Sequence, residues 1–232
     1  MRVLLFQLAS PLGSFGSLAV GERRPSDRRP SHSALTGIVA ASLGVPRLDP
    51  RQPDLARGYA YATRVDRAGP ILTDYHTTAT ARGSHATRAD QLNAGNQRTV
   101  LSYRDYVQDA AFTVAMIEAR DAPFTLEEVK EALRKPAFAP FVGRRSCPPS
   151  VPAFPLVIDV PSLDGAWAAY DAARAAAPHA ETEKGAVYCS VEFVEAGLVD
   201  ASRVLRRDTR RDFPVTHIPQ RFDTRAELAI AS

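Results

Sequence analysis

The chain has 232 residues, 45% of them hydrophobic, and a formal charge of +3 from 29 basic and 26 acidic side chains. That excludes a wholly disordered chain and leaves room for a real core, in one large domain or two small ones. Two cysteines, Cys147 and Cys189, give neither a disulfide framework nor a closed zinc site, and no stretch approaches the roughly 20 apolar residues of a membrane span. Val3 to Ala9 is too short and too polar at Gln7 for a secretory signal, so a soluble cytoplasmic protein is expected.

Residues 2–9 read as a buried strand, bounded by Ser10 and Pro11. Gly13 and Gly16 mark a turn, and a basic, proline-punctuated loop follows at 21–30. Ser31 or Ser33 can cap a helix of small apolar residues that stops near Gly44. Residues 59–67 and 71–77 read as extended, joined by Gly69 and Pro70. Residues 78–97 are polar, small and aperiodic, which predicts a flexible excursion at a hairpin tip. Residues 99–118 read as one long strand or two consecutive strands. Residues 126–133 fit a short amphipathic helix with Thr125 as cap, Glu128 completing a capping box, and Pro136 ending it.

The order β-α-β-(excursion)-β-α-β predicts an α+β, ferredoxin-like domain over residues 1–148, the RRM-like class of many single-strand RNA binders, with a thumb-like excursion at about 78–108. The proline-rich stretch at 147–155 is the expected boundary. Beyond it a smaller, β-rich C-terminal part at 149–232 holds a helix at 164–177 and strands at 186–194, 203–207 and 213–218.

All but three of the basic residues are arginine, the exceptions being Lys130, Lys135 and Lys184. Arginine offers a planar fork that fits phosphate and stacks on bases; a GC-rich coding bias accounts for the bulk count equally well, so position carries the argument. Arg23, Arg24, Arg28 and Arg29 lie just before a helix start, with Ser31, His32 and Ser33 as further donors. A helix N-terminus suits a phosphate; a solvated basic loop is the competing reading. Arg98 precedes Tyr103, Arg104 and Tyr106, which mix aromatic faces with cations as single-strand binders do; ordinary strand packing would use the same residues. Gly143 is expected to make a tight turn projecting Arg144 and Arg145, near Lys135, Phe138 and Phe141. His76 beside Tyr75, with Lys135, is the one acid–base set that can be assembled for a metal-free ribonuclease. A structural histidine is the commoner outcome. No metal-ligand spacing, P-loop or nucleophile elbow is present, so neither metal nor cofactor is expected.

Four blocks, RRPSDRRPSHSALTGIVAASLG (23–44), DYHT (74–77), SYRDYVQDAAFTVA (102–115) and LRKPAFAPFVGRRSCP (133–148), occur in order ahead of HIPQRF (217–222). In that order and wording the chain resembles the Cascade D subunit (CasD) family of type I-E CRISPR systems, within the RAMP superfamily. The resemblance leaves out residues 149–212. It implies a non-catalytic subunit that binds the 5′ handle of the CRISPR RNA and touches a backbone subunit and the large PAM-reading subunit, meeting target DNA only indirectly. It implies that Arg24 and the turn from Ser31 to Ser33 contact the handle backbone, and that Arg104, Phe141, Arg144 and Arg145 contact handle nucleotides. Where that family often carries tyrosine near Phe138 and Phe141, phenylalanine keeps the stacking face and loses the hydroxyl. A related subtype uses its equivalent subunit as the precursor-cutting ribonuclease, which makes an enzyme built on His76 the alternative.

Overall fold

A computed structural model of the chain describes residues 1–81, 87–95, 97–175, 185–217 and 220–231. Strand β1 (Arg2–Gly13) is buried from Val3 to Ser10, because both of its faces are covered. Short strands β2 (Phe15–Gly16), β3 (Arg23–Arg24) and β4 (Ser26–Asp27) shape the basic loop, with β2 and β4 paired to each other. Helix α1 (His32–Ser42) begins at Ser31, whose hydroxyl accepts the Ala34 N–H. Helix α2 (Gln52–Gly58) leads into β5 (Tyr59–Arg67), and β6 (Ile71–Ala81), α3 (Arg88–Asn93) and β7 (Gln97–Glu118) follow.

Helix α4 (Leu126–Arg134) carries both halves of the expected capping box: the Thr125 hydroxyl takes the Glu128 N–H, and the Glu128 carboxylate takes the Thr125 N–H. Then come β8 (Leu156–Asp159), α5 (Leu163–Arg174), β9 (Val187–Ser190), α6 (Glu192–Glu195), a 3-10 turn at Ala201–Arg203, β10 (Val204–His217) and β11 (Gln220–Ile230).

The strands form one sheet in the order β10-β11-β9-β5-β7-β1-β8, to which β3 and β6 add as further partners of β7. All ladders are antiparallel except that of β3 on β7. Leu4, Phe6, Tyr59, Tyr61, Val114 and Met116 face a core shared with α1, α2 and α4. Val3, Leu5, Ala60, Ala62, Ala115 and Ile117 face a second core, with Leu163, Trp167 and Tyr170 of α5 and Phe193 of α6. The 22-residue β7 belongs to two structures. Its second half pairs with β1 and β5 inside the sheet, and its first half pairs with β6 in a hairpin running from Ile71↔Val107 to Ala81↔Gln97.

Several expectations are corrected. Strand β1 continues through Pro11 to Gly13; past Leu5 its only strand partner among the described residues is β7, so the missing proline N–H breaks no second ladder there. The 78–97 excursion contains regular structure: β6 extends to Ala81, and α3 starts in a Thr87/Asp90 capping box. Residues 82–86 and 96 lie outside the described part. The expected strand at 186–194 ends at Ser190 and turns into α6. The expected strands at 203–207 and 213–218 are one, β10, zipped to the unanticipated β11; residue 218 lies outside the described part. Helix α5 ends at Arg174, and residues 176–177 of its expected span are likewise outside it.

Candidate nucleic-acid interface

The first arginine pair adds a strand to the hairpin. The Tyr103 N–H donates to the Glu22 carbonyl at 3.0 Å, and β3 runs parallel to β7 with Arg23 beside Tyr103 and Arg24 beside Arg104. On the other side of β7, Tyr75 lies opposite Tyr103 and Asp74 opposite Arg104. Strands β6, β7 and β3 thus make a small platform where β7 extends past β1 and β5. Alternation sorts its side chains: the row Tyr75–Tyr103–Arg23 occupies one face, and the row Asp74–Arg104–Arg24 the other. The tyrosine rings sit 5.4 Å apart at 52°, and the Arg23 guanidinium lies 5.8 Å from the Tyr103 ring. Tyr75 is 55% and Tyr103 40% exposed. On the opposite face Arg104 donates to the Ser102 hydroxyl at 3.1 Å, and Arg24 donates to the carbonyls of Gly21 and Arg23. None of those partners neutralises a guanidinium.

The second basic patch is held against this face by the turn at Gly143. Its φ is +87°, and a Cβ there would sit 1.7 Å from the Ser14 carbonyl oxygen, so only glycine fits. The turn closes through Val142 N–H to the Cys147 carbonyl (2.7 Å) and Cys147 N–H to that of Arg144 (2.9 Å). Arg144 then reaches across: it donates to the carbonyls of Asp105 (3.3 Å) and Arg24 (3.1 Å) and lies 4.6 Å from the Tyr106 ring. It braces β3 and β7 together while keeping its charge. Arg145 and Arg98 are exposed and have no side-chain partner among the described residues.

The rest of the first cluster turns inward. Arg28 is exposed and donates to the Gly69 carbonyl at 3.4 Å. Arg29 lies 3.9 Å over the Tyr188 ring and pairs with Glu227 at 2.5 Å. Glu227 also takes Arg210 (3.0 Å) and Arg225 (2.9 Å), while Arg210 binds Asp27 and Arg225 binds Asp212. Ser31 and His32 are buried, and Ser33 is half-buried with its hydroxyl 3.1 Å from that of Ser31. The α1 N-terminus already holds an anion, because the His32 N–H donates to Asp212 Oδ2 at 2.9 Å. The phosphate expected there is replaced by a carboxylate of the chain itself. The His32 ring packs between Tyr61 and Phe213, with Nε2 2.9 Å from the Ala56 carbonyl. Burial, helped by Arg225, pushes its pKa down to about 4 against the pull of the Ala56 carbonyl and Asp212.

A described family, CRISPR-associated protein (Cas_Cas5), matches residues 3–226 of this sequence. The chain belongs to the Cas5 family. It is 33% identical over 156 residues to the "CRISPR system Cascade subunit CasD" of Escherichia coli (strain K12), a match spanning 65% of this chain and 69% of that protein. Among solved structures it is similar to a chain of a "CRISPR RNA-guided surveillance complex", with a TM-score of 0.66 and 26% identity, over 98% of this chain and 89% of that one. It shares its fold with a "Crystal structure of Cas protein", with a TM-score of 0.60 and 22% identity, over 98% and 95% of the two chains.

In this Cas5-family chain the three candidate acid–base residues do not converge. Tyr75 and His76 are consecutive in β6 and so face opposite sides of the hairpin. The His76 Nδ1 faces Asp74 at 3.5 Å. Lys135 sits at the end of α4, whose packing is against α1, β1 and β8. No group of three metal-ligating side chains occurs among the described residues, and no helix there is long and apolar enough to cross a membrane. Tyr106 is 8% exposed and belongs to the core under Arg144, so its ring is a support for that cation. Phe138 and Phe141 remain 48% and 38% exposed. Sequence reasoning missed Tyr75 as the ring partner of Tyr103, and Asp27, Asp212 and Glu227 as the anchors of the arginine loop. Register could have found the first; Asp212 and Glu227 come from the far end of the chain and carry no local signal, while Asp27 lies within the basic loop itself.

Proposed function

We propose that this Cas5-family chain is the subunit of a Cascade surveillance complex that holds the 5′ handle of the CRISPR RNA without cutting it. The observation that carries the reading is the cationic face on β3, β7 and the Gly143 turn, where Arg24, Arg104 and Arg144 lie together and no carboxylate among the described residues pairs with Arg24 or Arg144. Arg98, Arg28 and Arg145 are exposed as well. Such a face suits phosphates, and Phe141 supplies a stacking surface. Ser31, His32 and Arg29 position the basic loop from beneath.

Strands β5-β7-β1-β8, with α1 and α2 between β1 and β5 and α4 between β7 and β8, support a ferredoxin-like core of the RAMP type, and the β6–β7 hairpin supports a thumb. The first 148 residues form the RNA-holding part, completed by β8, and the smaller C-terminal part braces the arginine loop. The neighbours are a backbone subunit and the large PAM-reading subunit, so target DNA is met only through the complex.

The test is handle binding across a salt series. Arg104→Ala and the double change Arg144→Ala/Arg145→Ala are expected to weaken binding and to flatten the salt dependence by about 0.7 in log–log slope per lost phosphate contact. Folded variants that bind like wild type would overturn the assignment. Specific cleavage of repeat RNA in EDTA, lost in His76→Ala, would overturn its non-catalytic half.

A further inference from the structure

The arginine face accounts for only one side of the β6–β7–β3 platform. The other side carries Tyr75, Tyr103 and Arg23 in one cross-strand row. A cross-strand tyrosine pair adds about 0.2–1 kcal/mol to a hairpin, so stabilisation alone is a use for it. Two features go beyond that use. Both rings stay exposed, at 55% and 40%, although neighbouring strand residues such as Tyr106 and Val107 are buried. The row also ends in Arg23, whose guanidinium stands 5.8 Å from the Tyr103 ring and has no carboxylate partner among the described residues. Thr73 and Thr77 flank Tyr75 along the same face, so the surroundings are small and uncharged except at Asp105, whose carboxylate is occupied by the Thr73 hydroxyl at 2.7 Å. Two open π faces bordered by one free cation match the two halves of a nucleotide, a flat base and an anionic phosphate.

We infer that Tyr75 and Tyr103 form a stacking step for one unpaired base of a single-stranded RNA, with Arg23 taking that nucleotide's phosphate. The inference rests on the RNA-binding reading and adds to it a second contact surface, on the face turned away from Arg24, Arg104 and Arg144. Because every base has a π face, the step tolerates sequence and demands only that the base be unpaired.

The probe is a short single-stranded RNA with 2-aminopurine moved along it, and the same RNA made abasic at the position where the full-length protein quenches fluorescence most. Tyr75→Leu and Tyr103→Leu are expected to weaken binding of the intact RNA about 5- to 100-fold and to abolish the quenching. Tyr75→Phe and Tyr103→Phe, which keep the ring, should stay within about threefold of wild type. The abasic RNA should bind wild type as weakly as the intact RNA binds the leucine variants, and should not distinguish them. Leucine variants that hold the intact RNA like wild type, or that lose the intact and abasic RNAs equally, would overturn the stacking step. Arg104→Ala separates the two levels. If it weakens both RNAs while the leucine changes do nothing, RNA binding stands and the step falls; if it too has no effect, the RNA-binding reading falls.

Discussion

Acidification from pH 7 to pH 5 is expected to destabilise this protein by about 2 kcal/mol through His32 alone. The ring is 4% exposed, and burial lowers its pKa from 6.5 to about 4. Between those values the unfolded chain takes a proton that the folded chain refuses. Stability is therefore full above pH 6.5 and declines until about pH 4, for a total of about 3 kcal/mol. A little over half of that falls between pH 7 and 5. Asp212 and Glu227 titrate elsewhere. Burial raises both, but Arg225 and Arg210 outweigh it and leave them net lowered. Their stabilising effect is present above the ordinary values of 3.8 and 4.5 and is lost only as pH falls below that range. Urea unfolding at pH 7, 6 and 5 reads the effect, and thermal midpoints should drop by about 2–4 °C for each kcal/mol. His32→Phe keeps an aromatic ring between Tyr61 and Phe213 and should show no such slope. A wild-type loss below about 0.5 kcal/mol, or an equal loss in His32→Phe, would refute the reasoning.

Two further outcomes follow from the anchors beneath the basic loop. Glu227→Gln removes the carboxylate that Arg29, Arg210 and Arg225 share, leaving Arg29 with no carboxylate among the described residues and Arg210 and Arg225 with Asp27 and Asp212 alone. A loss of about 3–5 kcal/mol in unfolding free energy is expected, and less than about 1 kcal/mol would show that the cluster relaxes freely. Gly143→Ala meets a left-handed backbone that alone costs about 1–3 kcal/mol and drives a Cβ into the Ser14 carbonyl. It should open the turn and reduce handle binding as Arg144→Ala does, and a variant with wild-type stability and binding would show that the turn is dispensable.

Local signals were read well where they are strong. The Thr125/Glu128 capping box and the Ser31 cap stand where their spacing put them, since each is decided within four residues. The long β7 was legible from its aromatic and β-branched content. Strand β10 was not, because residues 208–212 (DTRRD) look like a solvated loop. In the fold, Arg210 and Asp212 are 8% and 5% exposed, satisfied by Asp27, Arg225 and Glu227. Buried ion pairs replace the apolar alternation that marks a half-buried strand. Helix α2 escaped notice for a different reason: it has seven residues and no side-chain cap. At the site, the arginines before α1 form a recognisable group, but which of them point outward depends on Tyr188 and Glu227, both far along the chain.

Strand β7 runs from the core into the hairpin through Asp109, a residue in the left-handed region at φ 43°. Alternation does not carry across that point, since consecutive Tyr106 and Val107 both pack into the core shared with α1, α2 and α4. The two sides of the platform are therefore set by the pairing of β7 with β6 and β3 beyond Asp109, and not by the pattern of the core. A one-residue slip of that local pairing would exchange the arginine side for the tyrosine side. The kink at Asp109 separates the part of β7 that builds the sheet from the part that builds the platform.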